Sequence, residues 1–200
     1  SFKEPLSVNR QWFGLSDDDK IITTISNHLS HRISWSMCEA IAKILKKVPK
    51  AYYMPIGKVL NKKVFKDIFE ELGVWEKVVF LGSQEFPVSL ASHMDLYLNE
   101  FPFGGGMSCM DAIAAQLPIL SMYSEKGPMQ ARQGSYYLGE GYFVEANNID
   151  EYVNLACQIL QDKNVYQDWK DKVKEIMLRL TTQGSYTQRH QEILKKIQKE

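Results

Sequence analysis

Short apolar runs recur along the chain, and a stretch with helical spacing of apolar residues follows most of them. The runs are residues 21–26 (IITTIS), 51–56 (AYYMPI), 78–81 (VVFL), 95–99 (DLYLN), 119–122 (ILSM) and 142–145 (YFVE). They are bounded by polar or glycine-containing segments and read as strands. Most are continuous apolar runs, the pattern of strands buried on both faces. Between them, Ile33, Met37, Ile41, Ile44, Leu45 and Val48 mark one helix face, and Val64, Phe65, Ile68, Phe69 and Leu72 mark another that Gly73 closes. Strands alternating with helices predict an α/β chain, a Rossmann-like αβα sandwich with a parallel sheet of about six strands. Ligands of such sheets bind at the carboxyl ends of the strands. The polar loops at 27–34, 82–86 and 101–107 all leave that edge, so residues far apart in sequence are expected to meet there.

Residues 95–122, DLYLNEFPFGGGMSCMDAIAAQLPILSM, carry the densest signal. They read as strand, glycine loop, helix over 109–116, and strand. Gly104, Gly105 and Gly106 allow close approach of backbone to a ligand. Ser108 is expected to cap the helix, and Pro118 to stop it. A glycine loop entering a helix N-terminus offers unpaired N–H groups to a phosphate. Three glycines fit a tight α/β connection equally well. The first strand has no GxGxxG after it and the chain has no GxxxxGK[ST], so neither the usual dinucleotide fingerprint nor a P-loop is present.

The charges balance, with 24 Lys plus Arg against 24 Asp plus Glu. No global field therefore recruits nucleic acid or an anionic membrane. No apolar run is long enough to span a membrane, and no signal peptide is visible. Cys38, Cys109 and Cys157 are odd in number, far apart and each in a predicted helix. They read as buried thiols of a reducing, cytoplasmic compartment. Asp17, Asp18 and Asp19 read as a solvated turn, and no metal site is expected. Residues 1–20 are a lead-in with little pattern, 21–182 the Rossmann-like domain, and 183–200 a charged last helix. Asn148 to Glu151 resembles a capping box opening a helix striped by Ile149, Val153, Ala156, Cys157 and Leu160. A further stripe runs through Val165, Trp169, Val173, Ile176, Met177 and Leu180.

The order of elements and the stretch 95–118 resemble the C-terminal nucleotide-sugar-binding domain of GT-B glycosyltransferases. The similarity is greatest to the branch of protein O-GlcNAc transferase and the bacterial cytoplasmic N-glucosyltransferases. The residues carrying it are Asp95 to Asn99, the loop Gly104 to Ser108, then Met110-Asp111-Ala112-Ile113 and Ala115-Gln116-Leu117-Pro118. The resemblance implies the donor half of an enzyme that moves a hexose or GlcNAc from a UDP-sugar to a protein or glycan. It implies no cofactor and no metal ion, the UDP-sugar being the donor substrate. Its partner would be an N-terminal acceptor-binding domain of the same chain that supplies the general base. The domain alone is expected to bind nucleotide and catalyse little. The last helix would pack back toward that half, leaving Tyr186, Ile193 and Ile197 exposed in its absence.

Position by position, the resemblance implies that Gly105, Gly106, Met107 and Ser108 hold the diphosphate through N–H groups and the Ser108 hydroxyl. Asp111, in the first turn of its helix, would accept from the ribose; a favourable charge at a helix N-terminus is the other reading. Ser83 and Gln84 would meet the uracil edge. Asn27 and His28 would approach the phosphates, and Arg32 would neutralise the leaving diphosphate. Two departures stand out. Relatives commonly carry His or Thr where this chain has Gly106 and Met107. The Glu-x7-Glu pair of many retaining enzymes is missing, since Phe103 lies eight residues before Asp111 and Glu100 does not fit the spacing; this favours an inverting reaction. Glu125, Gln130 and Arg132 are candidates for hexose contact. The competing functional reading is a glycosyltransferase-like module without activity, serving as partner or chaperone subunit. A sugar-nucleotide epimerase or phosphorylase of the same architecture matches the loop less well.

Overall fold

The computed structural model describes residues 10–123, 138, 143–145 and 148–182. Among these residues five strands form one parallel sheet: β1 (Lys20–Thr23), β2 (Ala51–Tyr53), β3 (Leu96–Leu98), β4 (Ile119–Tyr123) and β5 (Phe143–Glu145), in the order β2-β1-β3-β4-β5. Ile22 stands beside Tyr53 on one side and Leu96 on the other, and Tyr97 beside Ile119. Ile22, Leu96, Leu98, Ile119 and Leu120 are fully buried, which is why these strands read as unbroken apolar runs.

The expected sheet of about six strands is thus a sheet of five. Residues 78–82 make only isolated bridges, Val78 with Tyr53 and Gly82 with Ile56. The cause is Pro55. The N–H groups of Val79 and Leu81 donate to the carbonyls of Tyr53 and Pro55 at 2.9 and 3.1 Å. Pro55 has no N–H to return a bond, so the ladder is interrupted there and resumes only where the Gly57 N–H donates to the Gly82 carbonyl at 2.8 Å. The segment still flanks β2 and delivers the loop at 82–86 to the carboxyl edge of the sheet.

Seven helices are described: α1 (Leu29–Arg32), α2 (Trp35–Lys47), α3 (Lys62–Glu71), α4 (Pro87–Ala91), α5 (Met107–Ala114), α6 (Ile149–Gln161) and α7 (Lys163–Thr182). The expected loop at 27–34 therefore contains one helical turn. Ser34 caps α2, accepting from the Met37 N–H at 3.2 Å, and Asn148 caps α6, accepting from the Glu151 N–H at 3.2 Å. The step from β1 to β2 runs one way across the sheet and the step from β3 to β4 the other. Right-handed crossovers then put α2 and α5 on opposite faces. Helix α6 packs on α2, and α7 touches both α6 and α5, joining the two layers. The stripe on α7 is buried at Trp169, Val173 and Ile176, whereas Leu180 is exposed. All three cysteines are buried and free, on α2, α5 and α6. The last helix with Tyr186, Ile193 and Ile197, and Glu125, Gln130 and Arg132, fall outside the described residues.

Asp95, just before β3, ties the other end of the sheet. Its Oδ2 accepts from the Ile21 N–H at 2.7 Å and from Arg10 at 2.8 Å, and Lys20 lies 3.7 Å from Oδ1. Arg10 also donates to the carbonyls of Asp19 and His93. Truncating this carboxylate strands a buried N–H and removes a charge from between two cations. Asp95→Ala is expected to destabilise the fold by about 2–4 kcal/mol, read as a lower midpoint in urea unfolding.

Candidate functional site

The sheet order changes direction between β1 and β3, and at their carboxyl ends lies a cleft of about 530 Å³. Such a switch point splays the loops leaving neighbouring strands and opens a crevice between them. The loop after β1 contributes Ser26, Asn27 and His28, and α1 contributes Arg32. Ile56 and Gly57 come from beyond β2, Gln84 and Glu85 from the loop after the irregular edge, and Glu100, Gly105, Gly106, Met107, Ser108 and Asp111 from the segment after β3. Of the residues given a part in nucleotide binding from the sequence, Asn27, His28, Arg32, Gln84, Gly105, Gly106, Met107, Ser108 and Asp111 line this cleft; Ser83 is exposed and stands outside its lining.

The glycine loop is held from beneath. Asn99 Oδ1 accepts from the Gly105 N–H at 2.8 Å, and the Cys109 thiol donates to the Gly105 carbonyl at 2.9 Å. A Cβ on Gly105 would lie 2.0 Å from Ser108 Oγ and 2.8 Å from Glu100 Oε2. The position needs glycine for space, because hydroxyl and carboxylate fill the volume a side chain would occupy. From above, Arg32 Nη1 donates to the Gly104 carbonyl at 3.1 Å and to the Phe103 carbonyl at 3.4 Å. Ser34 Oγ donates to the Phe101 carbonyl at 2.9 Å. The loop after β3 is therefore fastened to the turn after β1.

Two expectations about α5 are corrected. The helix starts at Met107, not at Cys109, and its N-cap residue is Gly106, with no side-chain cap. Ser108 turns inward instead, where its Oγ stands 3.1 Å from the Tyr97 hydroxyl. A side chain inside the first turn is past the position from which it can cap. Asp111 consequently sits in the second turn, beyond the reach of a simple helix-end charge effect. It is half-buried, and burial raises its carboxyl above the usual range. The first N–H groups of α5, at Met107 and Ser108, have no intrahelical partner and belong to residues of the cleft.

Glu100 and Gly57 had no place in the expected site. Glu100 is 2% exposed, with Oε2 3.2 Å from the Tyr97 hydroxyl and Oε1 without a hydrogen-bond partner. Burial pushes its carboxyl up; its own backbone N–H and the Arg32 charge pull it down by less. No spacing rule marks such a residue, whose importance lies in depth. Gly57 has a φ of +141°, and a Cβ there would fall 1.7 Å from the Ser26 carbonyl oxygen. It lets the loops after β1 and β2 touch. Among the described residues no group of three His, Cys, Asp or Glu is placed to hold a metal ion, and no helix is long and apolar enough to cross a membrane.

The family model for glycosyl transferases group 1 matches residues 8–176. The N-acetyl-alpha-D-glucosaminyl L-malate synthase of Bacillus anthracis is 23% identical over 177 residues, which make up 87% of this chain and 45% of that enzyme. The chain thus spans less than half the length of this curated relative. The Thermobaculum terrenum O-GlcNAc transferase, as its K341M mutant, is similar in fold with a TM-score of 0.75 at 17% identity, covering 90% of this chain and 36% of that one. The Anabaena Alr3699/HepE structure in complex with UDP and glucose gives 0.69 at 17% identity, covering 96% of this chain and 51% of that one.

Gly57→Ala is expected to collapse the cleft and destabilise the chain by about 3 kcal/mol or more, because the collision is with backbone. Gly73→Ala, also at positive φ but with nothing within 4 Å, is expected to cost only about 1–2 kcal/mol. Thermal melts of the two variants side by side check the difference.

Proposed function

The chain belongs to the group 1 glycosyl transferases, and from that premise we propose that its cleft is the donor site for a UDP-sugar. The observation that carries the reading is the convergence, in one crevice, of a helix N-terminus, an arginine and a half-buried aspartate. These suit the three parts of the donor. The N–H groups at Gly106, Met107 and Ser108 suit the diphosphate. Arg32 has five N–H donors and uses Nη1 on the loop, so Nη2 and Nε can meet a phosphate and stabilise the charge that grows on the leaving diphosphate. Asp111 suits the two hydroxyls of a ribose, since a carboxylate accepts and cannot donate. Gln84, whose amide donates to the Leu81 carbonyl at 2.8 Å, and its neighbour Ser83 belong to the loop that would meet the base. Asn27 and His28 stand at the exposed side of the crevice, toward the phosphates and sugar.

In this reading the chain is the donor-binding, C-terminal half of a GT-B enzyme that passes a hexose or GlcNAc to a protein or glycan. Acceptor and general base belong to an N-terminal half, and the 200 residues alone bind nucleotide with little or no turnover. No metal ion is called for, because the helix N-terminus and Arg32 take over the neutralising role. The location is cytoplasmic. The second reading, a related module without activity, draws on Gly106 and Met107, which offer the phosphates no polar side chain.

Calorimetric titration with UDP separates the two. Binding is expected, and Asp111→Ala is expected to weaken it by at least about 1 kcal/mol, roughly fivefold, through loss of the ribose contact. An affinity unchanged by Asp111→Ala would remove the ribose assignment. No heat of binding at millimolar UDP would favour the inactive module.

A further inference from the structure

Residues 40–66 contain no Asp or Glu, so the balance of charge over the whole chain does not hold along this stretch. In the fold part of its lysine charge is met. Lys43 lies 3.0 Å from Asp150, Lys50 3.3 Å from Asp18 and Lys66 3.4 Å from Glu70. Lys58, Lys62 and Lys63 are exposed and form no ion pair among the described residues. They gather around the start of α3. Leu60 and Val64, interleaved with them, are 63% and 47% exposed. From Lys58 to Val64 every residue but Val59 is exposed. The exposed His31 joins from α1, because the Leu60 N–H donates to Ser30 Oγ at 2.8 Å and holds the two segments together. The acids on the adjoining elements are Asp67, a turn further along α3, and Glu85, in the loop that the Gly57 N–H ties to this one through the Gly82 carbonyl.

The lysines do not serve the helix. Lys62 and Lys63 occupy the first turn of α3, at the positive end of its dipole, and Glu70 and Glu71 the last, at the negative end. Lys62 also stands four residues from Lys66, a like-charge pair on one face. Both arrangements weaken the helix, which is held in place by burying Phe65 and Phe69. Leu60 and Val64 do not serve the core either, being turned to solvent. A face that only had to stay in water would gain from acids at this end of the helix and has no use for two aliphatic side chains.

From this combination we propose that residues 58–64 seat the chain on an anionic lipid surface, reversibly and without crossing it. The ammonium groups of Lys58, Lys62 and Lys63 meet the lipid phosphates. Their stems and the tips of Leu60 and Val64 lie among the outermost acyl carbons. The interleaved aliphatic side chains favour lipid over a dissolved polyanion, which offers charge and no apolar layer. Each lysine near such a surface contributes about fivefold in partition, and the three together about a hundredfold, which gives exchange rather than permanent anchoring. The place of the patch adds a consequence. Gly57 lines the cleft and Lys58 follows it, at the β2 end of the sheet and to the side of the crevice. A chain seated this way carries the cleft beside the lipid headgroups.

The test is co-sedimentation of the chain with vesicles of phosphatidylcholine, with and without about a third of phosphatidylglycerol. Binding is expected to the anionic vesicles alone, with release in about 1 M NaCl, which shortens the screening length to about 3 Å. K58Q/K62Q/K63Q is expected to bind about a hundredfold more weakly, and L60S/V64S at least about fivefold more weakly. K62E separates this from damage to the fold. It puts an acid at the start of α3 and four residues before Lys66, so its melting midpoint is expected to match or exceed that of the wild type, while its vesicle binding falls about 25-fold. A chain that ignores anionic vesicles, or binds neutral ones equally, overturns the proposal. So does an L60S/V64S variant that binds as well as the wild type, which would leave the lysines to a dissolved polyanion such as polyphosphate. A concentration-dependent dimer that L60S/V64S abolishes would give the surface to a second copy and overturn it as well. None of these readouts uses UDP, so the donor-site reading stands or falls separately.

Discussion

Asn99, 1% exposed and one residue past β3, uses both ends of its amide. Nδ2 donates to Ser121 Oγ on β4 at 2.9 Å, and Oδ1 accepts from the Gly105 N–H. The cleft depends on this. A loop with three successive glycines is otherwise the segment with most backbone freedom to lose on ordering. Anchored to the sheet through Asn99, and to α5 through the Cys109 thiol, Gly105 fixes the path of the chain into the helix. The N–H groups beyond it then point one way before any ligand arrives, and a ligand that uses them does not bear the ordering cost. An apolar residue in place of Asn99 would take from the buried Gly105 N–H its acceptor and from the Ser121 hydroxyl the donor it receives.

The same anchoring decides what the loop can offer a ligand. With Gly105 pressed against Tyr97, Glu100 and Ser108, the Ser108 hydroxyl belongs to the interior network. Gly106 has no side chain, and Met107 is 76% exposed and apolar. The polar side chains at the foot of the loop therefore shape it from below, and what the loop itself presents to the cleft is backbone N–H groups.

The periodicity of the sequence made the sheet legible, because burial on both faces imposes an apolar character that survives in every strand. It failed at residues 78–81, where the side chains are right and the partner strand is not. Pro55 removes a donor from the neighbouring segment, and no pattern within VVFL records that. Ser108 misled in the opposite way: Ser before a helical stretch is a capping signal, yet Gly106 already begins the turn, and the hydroxyl bonds inward. Most of the cleft was readable because its residues lie in loops leaving one edge of the sheet, which topology brings together. Glu100 and Gly57 were not. Each matters through its depth or through contact with another loop, and both arise only once the strands are aligned.

Charge in the cleft sorts by depth, and this gives the arginine a second role. Arg32 bridges the loops after β1 and β3 while standing close enough to pull the Glu100 carboxyl down against its burial. A guanidinium fully committed to Glu100 would ionise it and cancel itself, leaving the crevice with no net attraction for an anion. Directed at the carbonyls of Phe103 and Gly104, Arg32 keeps its charge available and its position fixed. The separation works only because α1 is a single helical turn ending in Arg32. That short turn carries the guanidinium out over the loop, and Ser34, two residues on, holds the turn down through the Phe101 carbonyl. The turn after β1 and the loop after β3 thus form one unit. A change in either moves the cation, the glycine backbone and the buried acid together.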